Sequence, residues 1–380
     1  MNLWTTFLVG VSVATEPSKA LRLGLLDPLR GILALCVAVY HLSVWFALLE
    51  SGSGLNMATA RLGNYGVSAF FVLSGFVLFR TTPWSRVRSE GLGRFWRRRF
   101  LRLAPVFYLV CALNVAFHLG MGPDPTWVHI LENLTLTFGA IHPNHALVTG
   151  GWYVGLVALL YFAYPALAWL REKGGLAFLV ALALGLWAWS LPSTLHGVMD
   201  QAPWNRFHTY VLAPNQVFLL AWGALLAGLH ETTETRLEPK VALLLALPLV
   251  GLLVWPAPRF FDHLAALTGW SRYGYLLAVT GLVALAAFTR DGQPGLSGQG
   301  AAGPVMRPAI RALTRPMIGA LTRLGAWSYG LYLLHPFTMK LVAPHWSGRL
   351  GFSLALGLAI VAAAAVHRWI EEPMGRLGRG

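Results

Sequence analysis

Residues 30–41 have the sequence RGILALCVAVYH, in which an arginine and a histidine flank ten apolar residues. The stretch belongs to a longer apolar run, and about 20 such residues suffice for a helix that crosses a bilayer. On an α-helix, eleven residues turn the chain about 20° beyond three full turns and advance it about 16 Å. Arg30 and His41 are therefore predicted to share one face of a membrane-spanning helix.

The composition extends this prediction to the whole chain. Of 380 residues, 56% are hydrophobic and only 12% are charged, whereas soluble domains carry about 25% charged residues. We therefore predict an all-α, polytopic membrane protein with about ten transmembrane helices. The candidate apolar segments are 28–49, 64–80, 100–120, 152–170, 175–191, 210–229, 241–256, 273–289, 324–342 and 351–369.

The basic residues are distributed unevenly between the two predicted sides of the membrane. The chain carries a formal charge of +14, but 23 of its 29 Lys and Arg fall in alternate connections. This is the positive-inside pattern. It predicts an even number of spans with both termini in the cytoplasm, and it explains the charge without a nucleic-acid partner. The basic segments are 1–30, 80–102, 171–174, 230–240, 290–323 and 368–380.

The sequence predicts one membrane-embedded domain over residues 22–380, preceded by a loosely ordered or interfacial lead-in over residues 1–21. The lead-in lacks the basic start of a cleaved signal peptide. The connection 121–151 contains His129, His142 and His145. Although HPNH has a spacing that suits metal ligands, no carboxylate or cysteine partner stands out. We therefore expect no metal.

Arg30 and His41 have both a functional and a structural interpretation. A neutral histidine is a suitable general base for a hydroxyl nucleophile, and the planar fork of arginine suits phosphates. Ala34, Val37 and Ala38 would then line a narrow track for a thioester arm between them. Alternatively, Arg30 anchors the helix at the interface and His41 is a hydrogen-bonding strut between helices.

Two further stretches carry candidate residues. In RFWRRRFLRLAP, residues 94–105, Arg99 and Arg102 share a helix face and form either a phosphate cradle or a topology anchor that contacts lipid headgroups. In GAWSYGLYLLHP, residues 325–336, Tyr332 and His335 also share a face. These two side chains either bind an acceptor or satisfy one another.

Taken together, these motifs resemble the acyltransferase 3 family of integral-membrane enzymes. The opening segment LDPLRGILALCVAVYH resembles the family's first-span signature, and GVSAFFVLSGFVL resembles its second. RRFLRLAPVFYL matches the family's RxxR motif, and WSYGLYLLHP and IEEPMGRL match its closing segments. The resemblance runs from about residue 22 to the end of the chain.

The resemblance implies a core of about ten helices in the bacterial cytoplasmic membrane. It implies transfer of an acyl group, commonly acetyl, from cytoplasmic acyl-CoA to a hydroxyl of an extracytoplasmic or lipid-linked carbohydrate. His41 would be the catalytic base. Membrane lipids are expected partners, and a homo-oligomer is left open. Carried over, Arg30, Arg99 and Arg102 are the expected acyl-CoA-binding residues, and our candidate acceptor-binding residues are Trp152, Tyr332 and His335.

The fourth predicted span departs from the family pattern. In WYVGLVALLYFAYP, residues 152–165, Val157 and Ala158 stand where the family has an acidic pair, and Tyr153 and Gly155 stand where it has serines. The carboxylate is therefore missing or supplied elsewhere. A separate outer partner could also complete the transfer, because the chain shows no hydrolase-like domain. The competing hypotheses are a transporter or flippase of a small anionic or lipid-linked solute, and an inert scaffold.

Overall fold

Helices account for nearly all of the chain that the structure describes. The structure is a computed structural model, and it describes residues 25–49, 53–117, 126–196, 203–234, 236–255, 267, 269–290 and 306–378. The predicted lead-in 1–21 lies outside the described residues. Within them, the backbone forms fifteen α-helices, short 3₁₀ and π segments, and a single bridge between Leu237 and Thr289 in place of a sheet. This agrees with the predicted all-α class.

The helices of the first half begin with the segment that contains Arg30 and His41. They are α1 Leu26–Trp45, α2 Gly54–Thr81, α3 Trp84–Glu90, α4 Leu92–Ala116, α5 Trp127–Thr135, α6 Phe138–Ile141 and α7 Trp152–His196. A 3₁₀ turn, Pro143–His145, precedes α7. α7 is not continuous, because Gly175 has φ 55° and ψ −139°, a backbone conformation that divides it into two helices.

The second half continues the same pattern of apolar helices and short connections. Its helices are α8 Pro203–Val211, α9 Val217–Thr232, α10 Pro239–Val254, α11 Gly269–Phe288, α12 Met306–Ala326, α13 Ser328–Val342, α14 Gly348–Val366 and α15 Glu372–Leu377. A π-helical segment, His367–Glu371, joins α14 to α15.

Over its described residues, each of the ten predicted apolar segments is mostly helical, because helical hydrogen bonding is the way a single apolar segment satisfies its backbone in lipid. Six described helices are long and apolar enough to cross a membrane. One of the six is α7, which contains two predicted segments, and α9, α10 and α13 are shorter than 18 residues. The number of about ten spans and the side on which the termini lie stay predictions.

α2 lies at the centre of the helix bundle. In its most apolar stretch of 18 residues, 78% are buried inside the protein, and it packs against α1, α7, α9, α10 and α11. Its aromatic side chains Phe71, Phe76 and Phe79 are almost fully buried. The helices with candidate functional residues therefore pack directly or indirectly on a rigid central helix.

α2 and α9 approach one another through glycines. A Cβ atom built on Gly75 would lie 2.0 Å from the carbonyl oxygen of Leu220, and one built on Gly223 would lie 2.0 Å from that of Val72. No side chain fits in such a gap, so the backbones pack directly on each other. This is the small-residue packing by which helices associate in membranes.

Gly223→Ala tests this contact. The added methyl group would have to push α9 away from α2, and we expect a loss of about 1–3 kcal/mol in the free energy of unfolding. Thermal unfolding in detergent should show a lower midpoint. Gly185→Ala in α7 is the matched control, because a Cβ there meets no atom within 4 Å. Equal unfolding midpoints for the two variants would contradict close packing of α2 on α9.

Candidate active site

His41 on α1 faces His335 on α13, although 294 residues separate them in sequence. The Nδ1 atom of His41 lies 3.0 Å from the Nε2 atom of His335, and the two rings are nearly parallel, with planes inclined by 11° and centroids 5.1 Å apart, so they meet edge to edge through these nitrogens. His335 is only 2% exposed, whereas His41 is partly exposed. The contact joins the polar residue of the first predicted span to one of the predicted acceptor-binding residues.

The local sequence of α13 explains how His335 is held. Because Pro336 has no N–H group, the carbonyl of Tyr332 lacks its usual helical partner four residues later. The Nδ1 atom of His335 lies 3.1 Å from the carbonyl oxygen of Leu331 and also faces that of Tyr332. In the dipeptide His-Pro, the proline thus leaves a backbone carbonyl without its helical partner. The imidazole before the proline faces that carbonyl and is held in one orientation.

These contacts determine which nitrogen of His41 is free. A carbonyl oxygen only accepts hydrogen bonds, so Nδ1 of His335 carries a proton and donates it to Leu331. In a neutral ring, Nε2 of His335 is then an acceptor, and Nδ1 of His41 must donate to it. The remaining nitrogen of a neutral His41, Nε2, keeps its lone pair, which is the form that a general base requires.

Of the other two predicted acceptor-binding residues, only Tyr332 contacts the histidine pair among the described residues. The ring of Tyr332 is 6.2 Å from that of His335, and its hydroxyl donates to the carbonyl of Gly150 over 2.7 Å. Trp152 is buried and contacts the rings of Phe71 and Tyr210. Tyr332 therefore ties α13 to the segment just before α7, whereas Trp152 packs on α2 and α8. The acceptor role of these residues stays a prediction.

Tyr153 is a residue of this site that the sequence analysis did not identify. Its hydroxyl lies 2.8 Å from that of Ser74 in α2, and its ring is 5.5 Å from the ring of Tyr332. It also lies within electrostatic range of Arg30 and Arg102. Because Tyr153 stands at a serine position of the family motif, a retained hydroxyl was the signal that could have identified it.

The three predicted acyl-CoA-binding arginines gather at one end of the bundle, which we call the basic end. Arg30 lies 3.3 Å from Asp27 and within electrostatic range of Arg102. Arg102 is exposed and also interacts electrostatically with Arg99. The structure thus brings together cations from α1 and α4. Such a convergence of like charges favours an anionic ligand.

Arg99 is held more firmly than the other two arginines. One of its terminal nitrogens donates to the hydroxyl of Thr82 over 2.7 Å. Its guanidinium lies over the rings of Phe95 and Tyr161, at 5.4 Å and 5.3 Å from their centroids. Its Nε atom is buried and has no hydrogen-bond partner among the described residues. The orientation of Arg99 is therefore fixed while one donor stays available.

The closing segment supplies a carboxylate at the basic end. Glu371 accepts a hydrogen bond from Nδ1 of His367 over 2.9 Å and lies within electrostatic range of Arg102. Val157 is buried, and Ala158 packs on the same apolar core. The positions of the missing acidic pair are thus apolar in this fold, and Glu371 is a carboxylate that reaches the arginines from elsewhere in the chain.

One expectation about α1 is wrong. Ala34, Val37 and Ala38 do not line an open track between Arg30 and His41, because all three are fully buried. The two alanines pack against Leu331 in α13 and against Ala359 and Ala363 in α14. The polar connection between the basic end and the histidine pair follows Tyr153 and Tyr332 instead.

The chain is similar to known acyltransferases over most of its length. A family model described as an acyltransferase domain matches residues 24–368. The acyltransferase MdmB of Streptomyces mycarofaciens is 27% identical over 389 aligned positions, which cover 95% of this chain and 94% of MdmB. Nodulation protein 10 of Rhizobium leguminosarum bv. viciae is 25% identical over 383 positions, with 92% and 93% coverage.

A third relative matches only in part. The peptidoglycan O-acetyltransferase OatA of Listeria monocytogenes is 27% identical over 186 positions, which cover 42% of this chain and 27% of OatA. No solved structure matches the chain significantly. Because the family model covers nearly all of the described helices, from α1 to the π-helical segment after α14, the chain belongs to the acyltransferase 3 family.

Proposed function

We propose that the protein is a membrane O-acyltransferase that transfers an acyl group, acetyl in the simplest case, from cytoplasmic acyl-CoA to a carbohydrate hydroxyl. His41 is the general base and His335 is the residue that positions it. The observation that carries the proposal is the hydrogen-bond series from His41 through His335 to the carbonyl of Leu331. That series leaves Nε2 of His41 free to accept a proton.

The basic end supports an acyl-CoA donor. CoA carries several phosphate charges, and arginine binds phosphate with two parallel hydrogen bonds where the geometry allows. Arg30, Arg99 and Arg102 come from two helices, and Arg30 and Arg99 each lie within electrostatic range of Arg102. The buried Nε of Arg99 has no hydrogen-bond partner among the described residues, so this donor is not used by the protein itself.

The transfer step balances without a further reactant. The acceptor oxygen attacks the thioester carbonyl, its proton passes to Nε2 of His41, and the bond between the carbonyl carbon and sulfur breaks. The sulfur leaves as a thiolate and takes the proton from His41, which returns the histidine to its neutral form. Tyr153 lies between the arginines and Tyr332, and we assign to it the orientation of the donor along this path.

The names of the relatives and the charge pattern support our proposal for the acceptor and for the location of the protein. OatA is named as an O-acetyltransferase of peptidoglycan, which supports a cell-envelope carbohydrate as the acceptor class. The relatives come from bacteria, and the basic connections favour a cytoplasmic basic end. We therefore place the protein in the bacterial cytoplasmic membrane, with both termini inside and the acceptor arriving from the outer side.

His41→Gln tests the general base. Glutamine keeps a polar side chain of similar length but cannot take the proton, so we expect kcat to fall by about 10²–10⁴-fold. The measurement is transfer of label from radioactive acetyl-CoA to extracted cell-envelope glycans by the purified protein in detergent. His345→Gln, in the exposed turn after α13, is the matched control and should behave as the wild type.

Two results, one from this assay and one from a transport measurement, decide between the hypotheses. Near-normal transfer by the His41→Gln variant would remove His41 from the mechanism. Movement of a solute across reconstituted vesicles by the wild-type protein, without consumption of acetyl-CoA, would support a transporter instead.

His335 is tested by replacing it with glutamine and with leucine. The amide oxygen of glutamine can accept the hydrogen bond from Nδ1 of His41, whereas leucine cannot. We expect kcat of the leucine variant to be lower by at least about tenfold than that of the glutamine variant, because only the latter keeps His41 in the reactive form. KM for acetyl-CoA should be the same in both. Equal kcat values would show that His335 only fills space.

Arg99→Gln tests the donor site. Loss of one charged hydrogen bond, about 1.5–3 kcal/mol, should raise KM for acetyl-CoA by about 10–100-fold with a smaller effect on kcat. Arg94→Gln is the matched control, because Arg94 belongs to the same basic stretch but is exposed. The assignment fails if the Arg99 variant keeps the wild-type KM, or if both variants raise it equally.

A further inference from the structure

The connection between α4 and α7 contains a cluster of metal-ligating side chains away from the candidate active site. The sequence analysis identified His142 and His145 in the motif HPNH, but it identified no carboxylate partner for them. The structure supplies one, because Glu132 of α5 reaches across to the 3₁₀ turn Pro143–His145. Its two carboxylate oxygens lie 2.8 Å from Nδ1 of His142 and 2.7 Å from Nδ1 of His145.

The three side chains form a compact donor set. One ligand atom from each of Glu132, His142 and His145 lies within 4.8 Å of the other two. The imidazole rings of the two histidines stack with centroids 4.4 Å apart and planes inclined by 25°. Both rings direct the same nitrogen, Nδ1, at the same carboxylate, which is the convergence that a shared ion requires.

The backbone around the cluster is tied in place by Asn133, which is only 2% exposed. Its amide nitrogen donates to the carbonyls of His129 and His145, over 2.8 Å and 2.7 Å. Its amide oxygen accepts the N–H of Leu147 over 3.0 Å. The neighbouring residue Glu132 is therefore fixed relative to the turn that carries the histidines.

The charge of Glu132 also suits a ligand. Both oxygens of this carboxylate face imidazole nitrogens, those of His142 and His145. Within the described parts of the chain, these two imidazoles are its ion-pair partners, and no lysine or arginine neutralises it.

We propose that Glu132, His142 and His145 bind a divalent transition-metal ion, with Zn²⁺ as the best match. Two imidazole nitrogens and one carboxylate oxygen are ligands that zinc accepts, and a fourth ligand completes a tetrahedron. The ion takes the place of the protons on the two Nδ1 atoms. The nitrogen–oxygen separations then widen to about 3.3 Å, the edge of a tetrahedron with bonds of about 2.0 Å.

The site is open to solvent on one side. The side chain of His142 is 49% exposed, whereas those of His145 and Glu132 are 24% and 11% exposed. Water can therefore reach the cluster and occupy the fourth position. His129 packs edge-on against the ring of His145, but its Nδ1 atom accepts the N–H of Thr126 at the start of α5. We therefore do not count His129 among the three ligands.

The expected role of the ion is structural. It would join α5 to the 3₁₀ turn, and the same connection ends at Gly150, whose carbonyl accepts the hydroxyl of Tyr332. Bound metal would thus stabilise the segment that lies against the candidate active site. The proposal does not depend on acyl transfer, because its ligands and its measurement are separate from that reaction.

Metal content and thermal stability test the site. The full chain is purified without a histidine tag, treated with a chelator, and titrated with ZnCl₂. We expect one tightly bound zinc per chain by elemental analysis, and an unfolding midpoint that rises by several degrees on zinc addition. His142→Gln and Glu132→Gln should each weaken zinc binding by at least about tenfold. His345→Gln, an exposed histidine outside the cluster, should leave zinc binding unchanged.

The result that overturns the proposal is also specific. If the wild-type chain retains no zinc and its unfolding midpoint is the same with chelator and with zinc, the cluster is a hydrogen-bonded triad only. If the His142→Gln variant, altered at a half-exposed side chain, binds zinc as tightly as the wild type, the metal lies elsewhere.

Discussion

The hydrogen bond between His41 and His335 is the interaction on which the rest of the site depends. An unpaired polar group is costly inside a membrane, so each imidazole restricts where the helix of the other can lie. The pairing fixes α13 against α1, and α13 in turn brings Tyr332 to the start of α7. The tautomer that results gives His41 a free nitrogen. A contact required for packing thus also prepares the proposed chemistry.

A buried cation restricts how helices pack elsewhere in the molecule. Arg272 is 1% exposed and donates to the hydroxyl of Thr194 and to the carbonyl of Asn215. Its guanidinium also lies over the rings of Tyr210 and Phe218. No described carboxylate pairs with it. Carbonyl, hydroxyl and aromatic groups therefore hold this cation, and through it α7 and α11 are joined.

The departure of the fourth predicted span from the family pattern has a structural explanation. Val157 is buried, and the partly exposed Ala158 packs against the same apolar core, so a carboxylate at either position would contact apolar side chains. The hydroxyl groups of Tyr153 and Ser74 lie nearby, within hydrogen-bond distance of each other. Glu371 supplies acidic charge beside Arg102 from the other end of the chain. Compared with the family pattern, the hydroxyl and carboxylate groups of this region thus come from several helices.

The sequence by itself determined the all-helical class, the positions of the apolar helices and the helix face that Arg30 and His41 share. Those features follow from local composition and helical periodicity, which act over a few turns of one segment. It also grouped Arg30 with Arg99 and Arg102, and in the structure Arg30 and Arg99 each lie within electrostatic range of Arg102. Among the described helices six are long and apolar enough to cross a membrane, because α7 contains two predicted segments and several helices are short, and the number of about ten spans stays a prediction.

Only the tertiary structure decided which of these residues meet. The contact of His41 with His335 joins segments 294 residues apart, and no local pattern encodes such a distance. The same holds for Glu132, which meets two histidines only because the chain folds back after α5, and for Ala34 and Ala38, which α13 and α14 cover. Periodicity specifies which side chains share a face, whereas packing between helices specifies what that face touches.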